Sequence, residues 1–138
     1  MRKFISFVLL SVLIVVSCDI QPIPVSNCKI SGTVNINDSS SPIGTIISLE
    51  TSVGFPVKSI EIVNLSGNFI MTGISPGDYK IFAGLDMDND GIDDYSGYYG
   101  NNNPEVITLF SGDSLSVQIT IYKNSRRDRH EIIPCGNK

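Results

Sequence analysis

Tryptophan is absent from the chain, histidine occurs once and cysteine three times in 138 residues. So small a supply of imidazole and thiol leaves little material for acid–base or metal-hydrolase chemistry. Basic residues are also scarce: ten Lys and Arg against fourteen Asp and Glu give a formal charge of −4. A nucleic-acid partner needs a basic face to neutralise phosphates, and this balance argues against one. No apolar run reaches the ~18 residues of a membrane-spanning helix. Charged residues make up only 17% of the chain while hydrophobic ones make up 41%. That combination excludes a disordered polyelectrolyte and predicts a packed core.

What is present begins at the amino end. Arg2 and Lys3 precede an uncharged run, Phe4 to Val16, that is apolar except at Ser6 and Ser11. A basic start with an apolar core of 7–15 residues is the pattern of a secretory signal peptide. The run ends in Val15-Val16-Ser17-Cys18, which resembles the lipobox of bacterial lipoproteins. That resemblance implies a leader, residues 1–17, cut before Cys18, and acyl chains on Cys18 that hold the protein to a lipid bilayer. The competing reading is an ordinary secretion signal with a chance cysteine. Each buried CH₂ contributes about 0.8 kcal/mol, so two or three chains anchor durably where one does not. An acidic mature chain gains nothing from anionic headgroups, which leaves tethering to the lipid. The localisation implied is the bacterial cell envelope, with inner and outer membrane both open. Residues 18–27 include Pro22 and Pro24. They read as the lipidated cysteine and a short extended linker, whose nine residues 19–27 span at most about 28 Å.

With Cys18 assigned to lipid, Cys28 and Cys135 remain, one just before the first strand-like run and one after the last. In an oxidising compartment they read as a disulfide closing the domain. On the chain-entropy estimate it stabilises by roughly 4–5 kcal/mol. Two buried free thiols or an intermolecular bridge are the alternatives.

Between them period-two alternation dominates, and no 3.6-residue periodicity follows the leader. Strand-like runs fall at 30–36, 44–50, 57–63, 68–72, 79–85, 105–110 and 115–122, with turn residues between them. The last two look like a hairpin around Ser111-Gly112-Asp113-Ser114. Seven short strands without a helix predict an all-β fold, a single seven-stranded Greek-key β-sandwich over residues 28–122. A small barrel is the alternative, and 123–138 reads as a polar tail.

Three motifs in order carry a further resemblance: Ile30-Ser31-Gly32-Thr33-Val34; Gly67-Asn68-Phe69 followed by Gly73-Ile74-Ser75-Pro76-Gly77-Asp78-Tyr79; and Ser111-Gly112-Asp113. Together they look like the carboxypeptidase regulatory-like, transthyretin-like sandwich family, whose members serve as stabilising, adhesive or binding appendages. Hydroxyisourate hydrolases of the wider transthyretin group carry a carboxy-terminal Tyr-Arg-Gly-Ser and several active-site histidines. This chain has neither, and its one histidine, His130, lies in the polar tail, so the resemblance implies no catalytic residues and no enzyme. A hydrolase stays only as a remote alternative.

The sharpest chemical feature is Asp86-Met87-Asp88-Asn89-Asp90-Gly91-Ile92-Asp93-Asp94. Carboxylates so concentrated repel unless a cation neutralises them, and D-x-D-x-D-G spacing turns alternate oxygens inward around a hard ion such as Ca²⁺. Asp86, Asp88 and Asp90, the Ile92 carbonyl and Asp94 are the expected ligands. The loop looks like the single unit of a thrombospondin type 3 repeat. It lacks the twelfth-position Glu of an EF-hand, because Gly97 stands there. A solvated acidic turn is the plainer reading. Beyond it Tyr95, Tyr98, Tyr99 and Asn101 form an aromatic and amide-rich stretch. It reads as a binding surface for a protein or glycan partner, or as a loop packed over the sandwich rim. Two functions follow: an envelope-anchored binding module working through a calcium-ordered loop, or a structural or assembly subunit docking through a sheet edge.

Overall fold

The structure, a computed structural model, describes residues 25–101 and 103–125. The leader, Cys18 and Cys135 lie outside them. Among the described residues eight strands follow one another without a helix: β1 (Cys28–Ile36), β2 (Ile46–Thr51), β3 (Pro56–Glu61), β4 (Asn68–Ile74), β5 (Gly77–Leu85), β6 (Tyr95–Tyr98), β7 (Ile107–Leu109) and β8 (Ser114–Lys123). The all-β sandwich expected from the alternation is the fold. No helix among the described residues is long and apolar enough to cross a membrane.

One layer is β4-β1-β8, with β1 parallel to β8 and antiparallel to β4. The other is β3-β2-β5, and both β6 and β7 pair with the far side of β5. The layers join at one corner, where Tyr95 and Ser96 of β6 pair with Lys123 and Tyr122 of β8. Alternation places Ile30, Val34, Phe69, Met71, Val117, Ile119 and Ile121 of one layer against Ile47, Leu49, Ile81, Ala83 and Leu85 of the other, all buried. Each fully buried large aliphatic side chain contributes roughly 1.5–3 kcal/mol, so this double row holds the layers together.

Two expectations are corrected. There are eight strands, not seven: Tyr95–Tyr98 forms β6, a strand too short and too interrupted by Gly97 to alternate visibly. The segments flanking Ser111-Gly112-Asp113 are not a hairpin either. β7 pairs with β5 and β8 with β1 and β6, so the turn carries the chain from one layer to the other. Its carboxylate, Asp113, accepts the Phe110 N–H at 2.8 Å and closes that turn.

Other turns follow their residues. Phe69 after Gly67-Asn68 is buried, as is Tyr79 after Pro76-Gly77, and the Tyr79 hydroxyl donates to the Ser75 carbonyl at 2.9 Å. At the opposite side of the sandwich the edges of β3 and β4 face each other. Lys58 of β3 reaches across to donate to the Thr72 carbonyl of β4 at 2.7 Å.

Candidate functional site

The acidic loop joins β5 to β6. Its curl is set by one carboxylate: Asp86 accepts the N–H groups of Asn89 at 2.7 Å, Asp90 at 3.3 Å and Gly91 at 2.7 Å. Asn89 and Gly91 take positive φ angles of 62° and 85°, which that curl requires. Asp94 closes it from the other end by accepting the Met87 N–H at 2.8 Å. Desolvation pushes the Asp86 carboxyl upward, but the Gly91, Asn89 and Asp90 N–H bonds together hold it below the usual carboxylate range.

Oxygens of Asp86, Asp88 and Asp94 consequently lie within 4.8 Å of one another. Three oxygens at that spacing can reach one common cation, and they supply three of the six to eight oxygens that Ca²⁺ takes. The five-ligand set read from the sequence is gathered only in part. The Asp90 carboxylate accepts the Ile92 N–H at 2.9 Å and stands outside the trio, because a carboxylate two residues before an N–H closes its own Asx turn. The Ile92 side chain is exposed.

Asp93, not singled out from the sequence as a ligand, lies on the other side of the loop over Gly84 of β5. A Cβ at Gly84 would strike the Asp93 carboxylate. Desolvation, then the charges of Asp86 and Asp94, push the Asp93 carboxyl above its usual value. Asn124 ties this end of the loop to the end of β8, its side chain donating to the Asp93 carbonyl at 2.8 Å and its N–H to the Asp94 carbonyl at 2.7 Å.

The aromatic stretch is divided among three places. Tyr95 is no part of a surface: it is buried, and its hydroxyl donates to Asp38 at 2.7 Å. As the first residue of β6 it points inward by parity, which corrects its reading as a ligand-binding residue. Bonds from Ser40 and Tyr95 hold the Asp38 carboxyl below its usual value. Tyr99 packs partly buried against the core and lines an open recess beside β7 and the start of β8. Tyr98 and Asn101 do come together, in a groove of about 320 Å³ shared with Ser96, Pro104, Thr120 and Tyr122. Tyr98 stacks at a tilt on Phe82 of β5, ring centroids 5.0 Å apart. Tyr122, Pro104 and Thr120 were not apparent from the sequence as site residues. The only signal was that Tyr122 and Thr120 fall on the outward parity of β8.

Cys28 is buried, and its thiol donates to the Phe110 carbonyl at 3.0 Å. Its expected partner, Cys135, lies outside the described residues.

No family model matches the chain, and no curated protein matches it. Solved structures do. The group B streptococcus pilus 2b backbone protein aligns with a TM-score of 0.42 and 13% identity over 70% of this chain and 41% of its own. The major pilin subunit of Bacillus cereus aligns with a TM-score of 0.42 and 19% identity over 67% of this chain and 30% of its own. The chain therefore spans less than half of either protein.

Proposed function

We propose that the chain is a structural or assembly subunit of a bacterial cell envelope, held to a membrane by acyl chains on Cys18. One observation carries the assembly reading. Val53, Phe55, Val57, Val63, Leu65 and Ile70 are each more than half exposed, and all belong to β3, its two flanking loops, or β4. Those strands are the facing edges of the two layers, so six of the large exposed apolar side chains lie on or beside these two edge strands. Apolar surface gathered on one side of a small domain marks a contact with another macromolecule.

The contact is made by side chains rather than by adding a strand. Pro56 opens β3, the β2–β3 register shifts between Leu49 and Glu50, and Lys58 turns its amine toward β4. All three are devices that blunt an edge strand against pairing. Phe55→Asp combined with Leu65→Asp is expected to remove the higher-mass adducts formed when intact cells are crosslinked. The exposed sites predict a melting temperature within a few degrees of wild type. An unchanged adduct pattern would overturn the assembly reading.

A binding module is the second reading, favoured by the Tyr98–Tyr122 groove. In either reading Ca²⁺ orders the loop between β5 and β6 through Asp86, Asp88 and Asp94. A cation there relieves the mutual repulsion of three carboxylates, and binding to the folded state alone raises stability by mass action. With calcium at ten times its dissociation constant the gain is about 1.4 kcal/mol, or roughly 6–11 °C for a domain of this size. Asp88→Ala is expected to erase that rise in a thermal melt of the full chain. A melt indifferent to calcium in the wild type would remove the ion from the account.

A further inference from the structure

We propose that the groove between β6, the segment that follows it and β8 binds a neutral saccharide, stacked on Tyr98 and Tyr122 and hydrogen-bonded by Asn101. This rests on the binding-module reading of the same groove and is independent of the assembly reading, since the apolar residues of β3 and β4 supply none of the groove's lining.

The chain's tyrosines separate into two kinds. Tyr79 and Tyr95 are buried and their hydroxyls are engaged, by the Ser75 carbonyl and by Asp38. Tyr98 and Tyr122 are partly or largely open, and among the described residues neither hydroxyl has a partner within the protein, nor does the side-chain amide of Asn101. All three residues line one groove. Desolvation, and then the charge of Glu50, push the Tyr98 phenol above its usual value, so it remains a neutral donor.

The groove is built rather than incidental. Tyr98 is braced from behind by Phe82. Asn101 sits in the left-handed region, φ 61°, with its N–H bonded to the Tyr98 carbonyl at 3.1 Å. The Glu105 N–H returns to the Tyr99 carbonyl at 2.9 Å and fastens the segment. Gly97 lets β6 press against β8: a Cβ there would stand 2.5 Å from the Thr120 carbonyl oxygen.

The lining selects the class of ligand. Among the described residues no charged side chain lines the groove, so an anion would lose its hydration without compensation. Two aromatic faces beside an amide and two hydroxyls suit a ring with an apolar C–H face and a polar rim. That is the chemistry of a sugar. A volume of about 320 Å³ lies at the lower end of small-molecule sites, about 300–1,000 Å³. An extended peptide would seek unpaired main-chain groups, but here β6 and β8 already pair with each other at Ser96 and Tyr122.

The test titrates the full chain, held in a detergent without a sugar headgroup, with cellotriose, maltotriose and chitotriose. Heat of binding and tyrosine fluorescence are the readouts, the latter free of tryptophan background. At least one trisaccharide is expected to bind. Tyr122→Ala should weaken it about tenfold, while Tyr122→Phe keeps the stacking ring and most of the affinity. Tyr122 is 43% exposed, so an unchanged melting temperature separates lost binding from lost folding. Phe55→Asp should leave the affinity unaltered, which keeps this result distinct from that of the assembly experiment. Failure of all three sugars to bind, or binding that ignores Tyr122→Ala, overturns the proposal. So does binding confined to a proline-rich hexapeptide, which would make the groove a polyproline reader.

Discussion

Replacing Gly67 by alanine is expected to lower the stability of the domain by about 3 kcal/mol, a fall of roughly 12–24 °C in melting temperature. Two separate costs meet at this residue. Its φ is 67°, the left-handed region where a Cβ is penalised. The added carbon would also run into the carbonyl oxygen of Val34. Neither atom can move away cheaply, since the Val34 N–H donates to the Gly67 carbonyl at 2.9 Å and Val34 is itself buried in β1. Gly54→Ala is the internal control. Gly54 has φ 93° but open space where the Cβ would go. It is therefore expected to lose only about 1 kcal/mol, the conformational cost by itself. Chemical denaturation of the two variants side by side measures the difference. Equal losses would show that the contact with Val34 relaxes freely.

The same pair of glycines illustrates how the sequence could be read. Asn64-Leu65-Ser66-Gly67 announced a turn, and the turn is there, with the Gly67 N–H bonded to the Asn64 carbonyl. Nothing in the four letters told that this turn abuts β1. Local chemistry, turns and alternation, was legible because it depends on neighbours in sequence. Leu115, Val117, Ile119 and Ile121 fall on the inward face of β8, as their spacing demanded, and Tyr122 falls outward. Pairing was less legible, because it depends on partners far along the chain. Phe110 and Ser114 looked like the two ends of a hairpin, yet β7 finds its partner in β5 and β8 finds β1.

The candidate site divides along the same line. Asp86, Asp88 and Asp94 were found because a loop of nine residues brings its own members together. Asp90 turned away for an equally local reason, the N–H two residues on. Tyr98 was noted while its groove partner Tyr122 was not, since 24 residues and a change of layer separate them. Tyr95 looked like its neighbours Tyr98 and Tyr99, and only the parity of an unrecognised strand sent it into the core.

Cys18→Ala is expected to abolish incorporation of labelled palmitate and to leave the leader uncut, an all-or-none effect larger than any change in stability. The residues that imply lipidation, Val15-Val16-Ser17-Cys18, lie outside the described residues, and the substitution changes no residue of the eight strands. Each acyl chain of palmitate length carries more than a dozen CH₂ groups at about 0.8 kcal/mol apiece. Two such chains therefore make release from a bilayer negligible, whereas one myristoyl chain binds only marginally. Charge cannot substitute for them: without Arg2 and Lys3 the cut chain has 8 basic against 14 acidic side chains and is repelled by anionic headgroups. Two observations check this. High salt should leave the wild-type protein on the membrane while detergent releases it, because salt screens charge and leaves apolar burial untouched. The intact mass of the Cys18→Ala protein should retain residues 1–17 and carry no acyl group. Palmitate label persisting in that variant would place the lipid on Cys28 or Cys135 instead. Cys28 would then have to leave the buried position in which its thiol donates to the Phe110 carbonyl, and the domain's melting temperature would fall with it.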